Sequence, residues 1–99
     1  MAFVTMQPDM IAAAAGQLAG VGSDLTAHNA AAVASASAVV PAAADEVSAL
    51  TAAQFASHAS MYGAVSAHAA AVHDLFVSVL RASADAYGAT EAANAGSTI

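Results

Sequence analysis

Apolar residues in the first third of the chain recur in steps of three and four: Ile11, Ala14, Leu18, Val21, Leu25, Ala32, with His28 in the same series. That spacing keeps one narrow stripe on a single side of an α-helix, the seam of a coiled-coil-like contact. The second half of the chain carries a broader pattern. At 100° per residue its large side chains spread over roughly 160° of a helix. Leu50, Met61 and Leu75 form one edge, Val47, Val65, Val72 and Val79 the middle, and Phe55, Tyr62, Phe76 and Leu80 the other edge. Glu46, Ser60, Ser66, Asp74, Arg81 and Asp85 lie opposite.

Two prolines mark where these helices begin and break. Pro8 followed by Asp9 is a helix start: proline suits the first turn and an acid there complements the helix dipole. Pro41 interrupts the pattern, and Asp45-Glu46 marks a second start. The chain is therefore expected to be one all-α domain: a helix over about 8–38, a turn over about 39–43, and a helix over about 44–86. Residues 87–99 form the expected frayed tail. A short connection joins antiparallel neighbours, so the expected fold is an antiparallel two-helix hairpin. One narrow seam cannot cover a 160° stripe, and the leftover surface calls for further helices, giving a four-helix bundle across an interface.

If the hairpin closes at Pro41, helix lengths of roughly 45 Å and 60 Å set a register. Leu75 then falls beside Ile11, and Leu80 beside Met6. Phe3, Val4 and Met6 would cap the segment Leu75–Leu80, and Tyr87 and Glu91 would lie past the reach of the first helix.

Composition sharpens the need for a partner. Of the hydrophobic residues, 33 are alanine, leaving 26 larger ones in a chain of 99. Each large side chain contributes roughly 1.5–3 kcal/mol when buried, against about 1–2 kcal/mol of backbone entropy per residue. A chain so built is marginal alone. Its charge is lopsided, with Arg81 facing seven acids. Nucleic acid and anionic lipid both require clustered Lys and Arg, which argues against nucleic-acid binding and against polybasic membrane docking. The apolar run from Val47 to His73 is long enough to raise a membrane span, but its Gln, His and Ser residues and its one-sided pattern argue against one. No Lys or Arg precedes the first apolar residues, which argues against a secretory signal peptide. There is no cysteine, hence no disulfide or thiol chemistry.

Candidate chemistry is sparse. His28, His58, His68 and His73 lack the i,i+4 spacing of a helical metal pair, so no metal or other cofactor is expected. His73 and Asp74 are sequence neighbours facing different ways, and no nucleophile motif or phosphate loop occurs, so no enzyme is expected. Gly16 and Gly20 form a small-xxx-small pair lying off the seam. Tyr87 and Glu91 are four apart, in a stretch weakened by Gly88 and by an acid near a helix C-terminus. From residues alone, Tyr87 is either the last core aromatic or part of a signal read by another protein.

The segments "MAFVTMQPDMIAAAAGQL", "VVPAAADEVSALTAAQFASHA" and "HDLFVSVL…YGATEAANA" resemble the mycobacterial PE family over essentially the whole chain. The middle and last most resemble members tied to the fifth ESX secretion system. The family's N-terminal Pro-Glu is here Pro8-Asp9, which keeps the acid in the first turn. The resemblance implies a hairpin that pairs with a PPE protein in a four-helix bundle and leaves the cell by type VII secretion, to the cell surface or beyond. It implies a Tyr-x-x-x-Asp/Glu export signal at Tyr87 and Glu91, and an EspG chaperone that grips the PPE subunit. Ending at Ile99, the chain is expected to be the bare domain. The excess apolar surface and the family's partner converge on Leu50, Phe55, Met61, Tyr62, Val65, Val72, Phe76 and Val79 as interface residues. A homodimeric scaffold using the same stripe, or a membrane-active envelope protein, are the alternatives.

Overall fold

The computed structural model describes residues 5–97 and is an all-α helical hairpin. Helix α1 spans Pro8–Ser37 and helix α2 spans Glu46–Ser97. Both starts follow the local chemistry. Gln7 offers its carbonyl to the amides of Met10 and Ile11, with Pro8 in the first helical position, where a missing N–H costs nothing. At α2, Asp45 is the cap. Its Oδ1 accepts the Ser48 amide at 2.7 Å and its Oδ2 accepts the Ser48 hydroxyl at 3.0 Å. The Ser48 amide, then its hydroxyl, hold the Asp45 carboxyl below the ordinary carboxylate value, outweighing slight desolvation.

The hairpin packs as two compact units. The first joins α1 through Gly22 to α2 from His73 onward; the second is Ser23–Val72. In the first unit, Pro8, Ile11, Ala15, Leu18 and Gly22 face His73, Val77, Leu80, Ala84 and Gly88, with Ala15, Val77 and Ala84 buried. In the second, Asn29, Val33 and Ala36 face Ala59, Gly63, Ser66 and Ala70, with Ala59 buried. No large side chain among the described residues is fully buried.

The seam therefore differs from the expected one. Ile11 and Leu18 lie on it, but Ala14, Val21, Leu25, His28 and Ala32 are exposed, and Ala15, Gly22, Asn29 and Val33 take their places. Ser66, expected on the polar side, is half-buried in the seam with its hydroxyl on the Gly63 carbonyl at 3.1 Å. Size accounts for the choice. Ala, Gly and Ser on α2 let the two backbones approach closely, and larger side chains are pushed to the flanks.

The register also differs. Gly88 lies against Pro8, and the Leu18 carbonyl meets His73, so Ile11 sits near Ala84 rather than Leu75. In the second unit Val33 lies against Gly63, which puts the end of α1 level with Ala59. The first turns of α2 are flanked instead by the connection, whose Val39–Ala42 form an open cleft with Val47, Ser48, Thr51 and Ala52. The connection runs alongside α2 instead of turning tightly at Pro41. Met6 is half-buried, while Phe3 and Val4 lie outside the described residues. With Gly88 at Pro8, Tyr87 is level with the first turn of α1, not past its reach. Helix α2 continues through the expected tail to Ser97, because alanines at 89, 92, 93 and 95 offset the weakness introduced at Gly88.

Candidate partner-docking face

With the small face of α2 turned to α1, its large side chains are left outward. Leu50, Phe55, Met61, Tyr62, Val65, Val72, Phe76 and Val79 all lie between 41% and 69% exposed. Val47 and Leu75 are exposed too. The centre of this stripe stands about 120° around the helix from the seam, and its Tyr62 and Leu80 edge lies nearest α1. Of the eight expected interface residues, none is buried in the hairpin.

Sequence patterning missed the contribution of α1. Met10, Val21 and Leu25 are each at least half exposed. Their offset from the seam, read with the opposed directions of the helices, turns them to the side occupied by the large residues of α2. In the first unit Met10 and Val21 share a side with Phe76, Val79 and Tyr87; in the second Leu25 shares one with Met61, Val65 and Val72. The steps Met10, Ala14, Val21, Leu25 carried this second stripe all along. Asp74, Arg81 and Asp85 project from the opposite side of α2. The first unit is thus apolar on one side and charged on the other.

Polar contacts cross between helices at Tyr62 and at His73, and neither had a signal in the local pattern. The Tyr62 hydroxyl donates to Asn29 Oδ1 at 2.6 Å, tethering the edge of the stripe to α1. His73 Nε2 lies 2.7 Å from the Leu18 carbonyl. A carbonyl only accepts, so Nε2 carries the proton. Among the described residues, no three His, Asp or Glu side chains come together as a metal site.

Tyr87 is half exposed on the apolar side, and Glu91 is exposed one helical turn further on. Both belong to continuous helix, so as i and i+4 residues they are neighbours on one surface. Pro8 is half-buried against Gly88, and Asp9 is exposed in the first turn.

Known proteins resemble this chain in sequence. PE family protein PE13 of Mycobacterium tuberculosis strain H37Rv is 59% identical over 50 residues, half of this chain and half of that protein. The PE-PGRS family protein PE_PGRS5 of the same strain is 60% identical over 48 residues, 48% of this chain but 8% of that protein. This chain thus matches half or less of the length of these relatives. The sequence model of the PE family matches residues 4–94, which takes in α1, the connection and all but the last three residues of α2, and the chain belongs to the PE family.

Proposed function

We propose that this chain is a non-enzymatic interaction protein, the PE half of a PE–PPE heterodimer exported by a type VII secretion system. The uncovered apolar side of the hairpin carries this reading. A folded monomer of 9.5 kDa has about 5,000 Å² of accessible surface by the usual mass scaling, whereas this chain has 7259 Å². The excess of about 2,200 Å² matches one partner's share of an obligate interface. The occupant is a helical PPE protein that lays two helices on the stripe of α2 and the Met10/Val21 and Leu25 flank of α1, closing a four-helix bundle. Leu50, Phe55, Met61, Tyr62, Val65, Val72, Phe76 and Val79 form its footprint. Contact with an EspG chaperone runs through the PPE subunit, and the route is the fifth ESX system, to the cell surface or the medium.

Co-expression with a cognate PPE protein tests the pairing. The expected result is a 1:1 complex by light scattering, while the chain alone aggregates or self-associates. A well-folded monomer that survives dilution and ignores the PPE protein overturns it.

Tyr87 and Glu91 are the export signal within this reading. Their exposure on one helical surface supports it, since neither is consumed by the hairpin. Alanine at either position leaves the heterodimer intact and retains it in the cell. Loss of assembly instead makes Tyr87 a packing residue.

One observation favours a second reading. Helix α2 contains an 18-residue window of mean hydropathy 1.4 and is long enough to cross a bilayer. Flotation of the purified chain with liposomes, in the absence of a PPE protein, is the outcome that reading requires.

A further inference from the structure

The first packing unit contains one side chain that does not belong in an apolar seam. His73 is half-buried beside the Leu18 carbonyl, and its ring sits directly over Gly22. A Cβ at position 22 would stand 2.7 Å from Cδ2 and 2.9 Å from Nε2 of that ring, closer than real atoms approach. The Leu18 carbonyl it binds belongs to the same turn of α1, being the one that normally accepts the Gly22 amide. Ring, glycine notch and carbonyl thus form a single peg and socket.

The rest of this seam does little to choose a register. On α1, Ile11 and Leu18 are seven apart and similar, as are Ala15 and Gly22. On α2, Val77 and Ala84 are also seven apart and apolar. Sliding one helix by a heptad therefore exchanges apolar groups for apolar groups, and a coiled-coil-like seam of that kind is weakly specified. In the slide that brings Ala95 to Pro8 only the peg changes character, and the opposite slide also sets Arg81 in the place of Gly88. A heptad slide carries His73 off Gly22 and leaves a half-buried donor without its carbonyl, where leaving a polar group unpaired is costly.

We propose that His73, seated in the Gly22 notch, is the positioning residue that sets the register of this unit. The register decides which large side chains of α2 stand beside Met10 and Val21, since a heptad slide displaces them by about 10 Å. His73 thereby determines the shape of the face offered to a partner without touching the partner. The inference concerns the chain's own packing, and holds or fails whatever protein covers that face.

The absence of cysteine makes a clean test. A Cβ at position 88 would lie 3.7 Å from that of Pro8, within disulfide range. The full chain carrying Pro8→Cys and Gly88→Cys reports the native register; Pro8→Cys with Ala95→Cys, or with Arg81→Cys, reports a heptad slide either way. Each pair is equilibrated in a glutathione buffer and the closed fraction read by mass. With His73 present, the native pair closes in preference to both slid pairs. In the His73→Leu background that preference falls about tenfold, the change that a lost hydrogen bond and an orphaned carbonyl contact convert to. His73→Gln, which keeps an amide donor of similar reach, restores it. An unchanged preference in His73→Leu overturns the proposal, as does a glutamine variant that behaves like leucine. Melting temperatures give an independent reading should His73→Leu lose its helicity. Gly22→Ala lowers the melting temperature of the parent but raises it in a His73→Ala background, where the socket is empty and alanine is the better helix former. The same sign in both backgrounds refutes the notch.

Discussion

Phe76 and Val77 are adjacent in the chain and opposite in role. Val77 is 4% exposed in the seam, while Phe76 is 55% exposed on the stripe. Replacing each by alanine separates hairpin energetics from partner energetics. Val77→Ala removes two buried methyl groups, which at about 0.8 kcal/mol per group costs about 1.6 kcal/mol, plus whatever cavity does not collapse. That loss falls on the hairpin itself. Truncating a fully buried phenylalanine to alanine costs about 3–5 kcal/mol. About half of the Phe76 ring is left for the partner to cover, so about 1.5–2.5 kcal/mol of the truncation falls on binding, a weakening of about 10- to 70-fold. The assay pairs two readouts. Helicity of the chain alone, by circular dichroism at low concentration, falls with Val77→Ala and is nearly unchanged with Phe76→Ala. The dissociation constant of the PPE complex, by dilution, rises with Phe76→Ala at unchanged helicity. A Phe76→Ala complex of parental affinity would refute the assignment of the stripe to the partner. Equal loss of helicity in the two variants would refute the separation of seam from stripe.

Further expectations follow from single contacts. Gly88→Ala places a Cβ at an ordinary 3.7 Å from Pro8, so the helix-propensity gain of about 1 kcal/mol is realised and the melting temperature rises; a fall would mean the helices approach more tightly there. Tyr62→Phe removes the bond to Asn29 and lowers stability by about 1 kcal/mol in urea titration, with no gain from Asn29→Ala in that background. Asp45→Ala removes the cap of α2 and lowers the melting temperature. Because the Asp45 carboxyl is held low in the folded chain, its contribution is present above the unfolded carboxylate value and is lost as pH falls through the folded one. Asp45→Asn keeps a cap and flattens that acid limb; an unaltered pH profile would assign the limb to another carboxylate.

What could be read from sequence divides along a physical line. Local chemistry marks itself: Pro8 and the Asp45-Glu46 pair start helices by interactions within one turn, and the helices begin there. The wide stripe of α2 was equally legible, because hydrophobic periodicity is a property of one helix. The seam was not, since it is selected by smallness. An apolar pattern points to Val21 and Leu25, yet close approach of two backbones selects Gly22 and Val33 beside Ala59, Gly63 and Ala70. Register lay further out of reach, because His73 meets Leu18 across 55 residues of chain and nothing near either residue encodes the other. The same division explains why the apolar stripe remains outside. Small residues along the seam leave room for only a few larger ones, Ile11, Leu18, Val77 and Leu80 among them, and most of the large apolar side chains are left on the surface. Such a chain leaves its largest apolar residues open to a partner. Tyr87, half exposed on that same side, therefore stands where a partner that covers Phe76 and Val79 would also reach.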